Sequence, residues 1–263
     1  MATGCGWDLV AFASSANRAA LTAVPLALGS ELYTADGIPG TGTQVYPKEA
    51  GTIFGIGVVS ETAAAVEWRV HKTTDANYNR SDRFTKLQTA AYAGGPAICR
   101  MNYPIMLGDL LTADILNAGA VLDAVGVFIG KGKIPEFSET LPPGAMPVNA
   151  IPATFTATVT HIADSWSPIA RVIFDDYNLK TDKRYKIVGM SAYSATGCLH
   201  RLRFYEGPDV GNAPGILGGD TAHISQTVFG NFGSFAGLNG VGIQTVAVAA
   251  DATTCGTLWL VEQ

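Results

Sequence analysis

The sequence predicts an all-β protein of two tandem β-sandwich domains, and three observations carry that prediction. First, Ile53 to Val70 and Ile187 to Phe204 are copies of one strand-turn-strand unit at an offset of 134 residues. Ile53 matches Ile187, Gly55 matches Gly189, Ser60 matches Ser194, Thr62 matches Thr196 and Arg69 matches Arg203. Second, the copies share their alternation. Val66, Trp68 and Val70 point one way, with Glu67, Arg69 and His71 opposite; Leu202 and Phe204 take the places of Trp68 and Val70, and Arg201 and Arg203 those of Glu67 and Arg69. Strand side chains alternate faces, so matching phase means matching inward and outward sets. Third, 30 glycines and 13 prolines break the chain into short segments, as tight turns between strands require. The offset is close to half of the 263 residues, which points to an internal duplication.

Taken in order, Trp7 to Leu21 is alanine-rich, with Trp7, Val10 and Ala11 in helical spacing, and predicts a short N-terminal helix or arm over residues 1–21. A first β domain follows over 22–134. Within it Gly37 to Pro47 is a loop, the first repeated unit comes next, and the polar stretch Tyr78 to Ala93 reads as an exposed excursion. Ile98 to Met106, Leu110 to Leu116 and Ala120 to Ile129 read as strands, separated by Gly108 and by Asn117-Ala-Gly119. Residues 135–152, with Pro135, Pro142, Pro143, Pro147 and Pro152, form an extended connector, because proline removes backbone donors and restricts its predecessor. The second β domain, 153–263, opens with the threonine-rich alternation Phe155 to Val159 and contains the second repeated unit. Val172 to Phe174, Val246 to Ala250 and Thr257 to Val261 complete its strands; Gly207 to Gly219 and Val228 to Gly242 are long turn regions. The outermost loops are expected in Tyr78 to Ala93 and Gly207 to Asn239.

Composition narrows the function. Hydrophobic residues make up 48% and charged residues 15%, well below the usual quarter, which suits a subunit that hides surface against neighbours. Net charge is −5 with signs interspersed, so no basic stripe marks a sequence-specific nucleic-acid partner. Apolar runs are broken before about 18 residues, short of a membrane-spanning helix, and the N-terminus lacks the basic start and apolar core of a secretory signal. Synthesis and assembly in a cytoplasm is the expectation.

No constellation announces catalysis or a cofactor. Cys5, Cys99, Cys198 and Cys255 are scattered as reduced thiols without a metal-ligand pair, and His71, His161, His200 and His223 are equally dispersed. G-x-S-x-G and H-E-x-x-H are absent, and the glycine-rich segments lack the lysine and the strand-helix context of a phosphate loop. Asp175-Asp176 reads as a pair of turn caps rather than as two carboxylates across a cleft. The reading is therefore not an enzyme, with no metal and no cofactor. Large aromatics with a polar edge make good interface anchors, and Trp7, Phe12, Trp166, Tyr193 and Tyr205 are the candidate subunit contacts. Trp68 and Trp259 are expected in the core.

Two similar β domains in tandem, a proline-rich bridge, an N-terminal arm and low charge together resemble the double jelly-roll major capsid proteins of tailless icosahedral viruses. The resemblance covers the whole chain as an architecture. It implies two eight-stranded jelly rolls, a homotrimeric capsomer with a pseudo-hexagonal outline, and Met1 to Leu21 as an inner arm facing any underlying membrane. It also implies partnership with neighbouring capsomers and other virion proteins, and a place in the virion after assembly in the host cytoplasm. A phage tail-tube or capsid-decoration protein is a second reading, and a carbohydrate-binding β-sandwich pair a third. A hydrolase ranks last.

Overall fold

The computed structural model describes residues 5–15, 18–24, 27, 50–60, 66–73, 81–88, 98–106, 109–117, 123–130, 149–195, 198–207, 209–219, 227–247 and 253–263. Among them the secondary structure is β throughout, with no helix. The first half contributes β1 (Trp7–Ser14), β2 (Arg18–Val24), β3 (Gly51–Ser60), β4 (Val66–Thr73), β5 (Ser81–Gln88), β6 (Ile98–Ile105), β7 (Leu110–Asn117) and β8 (Asp123–Gly130). The second contributes β9 (Ile151–Thr158), β10 (Ala170–Arg171), β11 (Ile173–Phe174), β12 (Arg184–Ser194), β13 (Cys198–Phe204), β14 (Gly215–Leu217), β15 (Val228–Phe229), β16 (Ser234–Ala236), β17 (Val241–Ala247) and β18 (Thr253–Glu262).

Four antiparallel sheets result. Sheet I is ordered β1-β8-β3-β6 and sheet II β2-β7-β4-β5; sheet III is β11-β9-β18-β12-β15, with β16 also on β12, and sheet IV is β10-β17-β13-β14. The order β1-β8-β3 corresponds to β9-β18-β12 and β2-β7-β4 to β10-β17-β13, each flanked on the same side by one more position, β6 against β15 and β16 and β5 against β14; β11, beside β9, has no counterpart in sheet I. The repeated unit is thus not a hairpin. Its two strands lie in different sheets, β3 in I and β4 in II, β12 in III and β13 in IV. The offset of 134 also relates an irregularity: the register of β3 slips between Ile53 and Gly55, and that of β12 against β18 between Ile187 and Gly189. A bulge at the same place in both copies bends each strand alike.

Alternation decides what each sheet buries. From sheet I, Val10, Phe12, Ile53, Ile56, Val58, Val125, Val127 and Ile129 meet Trp68, Val70, Leu111, Ala113 and Ile115 of sheet II in one core. The opposite side of sheet I, with Leu9, Ala11, Ala13, Ala124 and Phe128, joins a second core continuous with the whole of the other half. There Phe155, Ile187, Leu258 and Leu260 of sheet III face Leu202, Phe204 and Ile243 of sheet IV. The layers therefore stack II, I, IV, III. Sheet I is covered on both sides, and every residue of β1 is buried.

Two expectations are corrected. Trp7 to Leu21 is neither a helix nor a free arm: β1 pairs with β8 from Trp7↔Gly130 to Ser14↔Asp123, and β2 pairs with β7. An inner arm and a domain start at residue 22 fall with it. A strand buried on both faces is apolar without alternation, and that pattern is shared with a buried helix. Tyr78 to Ala93 contains an edge strand, β5, paired along its length with β4 from Val66↔Gln88 to Thr73↔Ser81. The turn regions Gly207 to Gly219 and Val228 to Gly242 hold the short strands β14, β15 and β16 and the start of β17. Of the proline-rich connector, 135–148 lies outside the described residues; its far end is strand, with Pro152 opposite Trp259.

Candidate assembly surfaces

The contact between the halves joins unlike faces. Sheet I presents Gly57 and Gly126 to sheet IV. A Cβ built on Gly57 would strike the Leu217 side chain, and one on Gly126 would lie 3.1 Å from Leu199 Cδ2. Glycine is needed here for close approach. Trp7 crosses the junction, its ring 4.5 Å from Phe232 edge to face, and its Nε1–H donates to the Gly215 carbonyl at 3.0 Å. Two carboxylates tie the backbones together. Asp8 Oδ1 accepts from Ala213 N at 2.7 Å, and Asp209 Oδ1 accepts from Cys5 N at 3.0 Å. Asp209, fully buried, also accepts from Asn212 Nδ2 at 3.0 Å and from Ser234 N at 2.9 Å. Buried acceptors saturated by backbone donors are structural ties.

The outer side of sheet IV away from this junction is occupied by the chain itself. Trp166 lies with its ring 4.1 Å from the Arg201 guanidinium, Arg201 Nε and Nη2 and Arg203 Nη1 all donate to Gln244 Oε1, and Gln244 Nε2 donates to the Ser167 carbonyl. Of the five aromatics chosen from sequence, Trp7, Phe12 and Trp166 are therefore consumed inside the chain, each 3% exposed or less. Tyr193 is half-buried, on the outer face of sheet III opposite Cys255. Tyr205 is 42% exposed beyond the end of β13, and its phenol is pushed above the usual range by partial burial. Trp68 is core, whereas Trp259 is half-buried on the outer face of sheet III, its ring 5.3 Å from Phe229.

The outer faces of sheets II and III carry the remaining described polar positions. On sheet II, Arg69 and His71 of β4 and Thr112, Asp114 and Leu116 of β7 are half-buried, with His71 Nε2 2.8 Å from Asp114 Oδ2. On sheet III the outer face carries Pro152, Thr154 and Thr156 of β9, Cys255, Thr257 and Trp259 of β18, and Ser191 and Tyr193 of β12, with Phe229 packed over Gly189 and Trp259. The sequence showed threonines alternating along β9 but gave no sign that they line the outer face of sheet III. At the end of this sheet Lys180 Nζ lies 2.9 Å from Glu262 Oε2. That hydrogen bond holds the Glu262 carboxyl below, and the Lys180 ammonium above, their ordinary ranges.

Other described polar groups act within the sheets. Asp175 Oδ2 accepts from Thr156 Oγ1 at 2.9 Å and Asp176 Oδ1 from Thr154 N at 2.8 Å, so both brace β9. Cys5 and Cys198 are buried thiols, Cys5 Sγ donating to the Trp7 carbonyl at 3.1 Å, and Cys255 is a half-buried one. His200 is buried and His161 half-buried, while His223 lies outside the described residues. Among the described residues no group of three or more His, Cys, Asp or Glu could hold a metal ion, and no helix is long and apolar enough to cross a membrane. No protein-family model matches the chain, and no curated protein matches it.

Proposed function

We propose that this chain is a virion structural protein, the major capsid protein of a tailless icosahedral virus of bacteria or archaea, built from two jelly-roll sandwiches that arose by duplication. The observation that carries the proposal is the strand order. Numbering the strands of each half from one to eight, and taking β10 with β11 and β15 with β16 as single strands, both halves contain the orders 1-8-3-6 and 2-7-4-5; in the second half the β11 part of the second strand also pairs with β9 at the edge of sheet III. That order is the interleaved pair of Greek keys of a jelly roll, a fold of viral shells and lectins. The bulge shared at Gly55 and Gly189 supports common descent of the halves.

The packing supports assembly. Because unlike faces meet within the chain, the contact is heterologous, and repetition of such a contact by rotation generates a ring. Three chains of two sandwiches each would close a six-fold-like capsomer, the homotrimer of the double jelly-roll reading. Low charge limits the desolvation cost of such contacts, and neighbours protect sheet edges such as β5 and β6. In this account the protein resides in the virion after assembly in the host cytoplasm, with neighbouring capsomers, other virion proteins and an underlying membrane as partners. Sedimentation of the purified chain tests it. The proposal expects a species of three times 27.4 kDa; rings or tubes would move the protein to a phage tail, and a monomer at high concentration would reopen the carbohydrate-binding reading.

A further inference from the structure

Inside the first sandwich lies an ion pair almost closed to water. Lys72 continues the inward-facing series of Trp68 and Val70 along β4. Its Nζ lies 3.2 Å from Asp109 Oδ2 and donates to the Pro104 carbonyl of β6 at 3.1 Å, so it reaches from sheet II to sheet I. The Tyr103 ring, its centre 4.9 Å from Nζ, fixes where the amine sits. Asp109 stands just before β7, and its Oδ2 also accepts from Met106 N at 2.7 Å. Both side chains are 6% exposed, against 59% and 28% for Lys180 and Glu262. Two charges withdrawn this far lose hydration that their mutual attraction only partly returns. The duplicated scaffold does not require them: the offset of 134 matches Lys72 with Glu206, which is exposed and accepts from Asn239 Nδ2.

We propose that Lys72 and Asp109 are the site of an intramolecular isopeptide bond, formed once the sandwich has folded around them. The ion pair holds every atom of the reaction. A proton passes from the Lys72 ammonium to Asp109 Oδ1, and the lone pair left on Nζ forms a bond to Cγ. The bond from Cγ to Oδ1 then breaks, and that oxygen leaves as water with a second proton from Nζ. Nothing is oxidised or reduced, and no co-reactant enters. The Met106 N–H already points at Oδ2, the oxygen that stays, where charge develops as Nζ attacks. Folding holds amine and carboxyl together and so replaces a bimolecular encounter. The product carries no charge, the Pro104 carbonyl accepts its one remaining N–H, and exclusion of water protects it from hydrolysis. The bond joins β4 to the entry of β7 and closes a covalent loop that contains β5 and β6, the edge strands of sheets II and I. Such a crosslink restrains the unfolded chain and keeps both edges from peeling away.

The test is the mass of the full chain, measured after complete unfolding so that an ion pair leaves no trace. The expected chain is about 18 Da lighter than its sequence, the mass of one water. Trypsin should leave the bond after Lys72 uncut and release a branched peptide joining Lys72 to Asp109, which distinguishes the crosslink from water lost within a single aspartate. Lys72→Arg keeps a cation beside Asp109 and should have its full sequence mass, whereas Lys180→Arg, at the exposed pair, should keep the deficit. A wild-type chain of full mass that trypsin cuts after Lys72 would overturn the proposal and leave an ordinary buried ion pair. A deficit that persists in Lys72→Arg would place the water loss elsewhere and overturn it as well.

Discussion

Asp209 is the buried carboxylate on which the junction between the halves depends, and Asp209→Ala measures that dependence. Its two oxygens accept four hydrogen bonds, from Cys5 N, Asn212 Nδ2, Ser234 N and Ser234 Oγ, at 3.0, 3.0, 2.9 and 3.3 Å. Hydrogen bonds to a charged acceptor contribute about 1.5–3 kcal/mol each, and donors stranded in the interior cost about 1–3 kcal/mol. The four are not additive, because one relaxation or one entering water serves several donors. The expected loss is about 3–6 kcal/mol, a large share of the roughly 5–15 kcal/mol that holds a folded domain together. Asp209→Asn refines the reasoning. One amide oxygen still accepts on one side, while the amide nitrogen turns donors toward donors on the other, so about half the loss is expected. Urea unfolding, followed by tryptophan fluorescence because Trp7 sits at the same junction, gives both values. A loss under about 1 kcal/mol for Asp209→Ala would refute the idea that these bonds outweigh the cost of burying the carboxylate.

Trp7→Ala removes the ring at the junction and its bond to Gly215, and should cost about 3–5 kcal/mol by the same unfolding measurement. Gly57→Val pushes into Leu217 and should cost about 1–3 kcal/mol; Leu217→Ala in the same chain should cost less than in the wild type, which a double-mutant cycle detects. Glu262→Gln tests the exposed pair with Lys180. A carboxyl held below its unfolded value adds stability above pH about 4.3 and loses it as pH falls further, and an ammonium held above its unfolded value adds stability below pH about 10.4 and loses it above. The small difference in thermal midpoint between wild type and Glu262→Gln should therefore be present at pH about 7 and vanish near pH 2 and pH 12.

Much of this architecture was legible in the sequence. The offset of 134 located two corresponding strand pairs, and the phase of Trp68 and Leu202 set which sides face inward. What stayed hidden has a physical cause. Trp7 to Ser14 lies in a sheet covered on both faces, so its apolar run carries no period of two and reads equally as helix. Ser81 to Gln88 is polar because it is an edge strand, and polarity at an edge guards against stray pairing. Trp7 and Trp166 offered the right chemistry for subunit anchors, but the chain uses them against its own Phe232 and Arg201. A sequence displays an aromatic's chemistry and not its neighbour.

Electron microscopy of the purified, assembled protein tests the central claim most directly. Particles of three chains showing six lobes of equal size, alone or tiled into closed shells, are the predicted result. Dispersed single chains with two lobes, at concentrations where a shell protein must assemble, would contradict it.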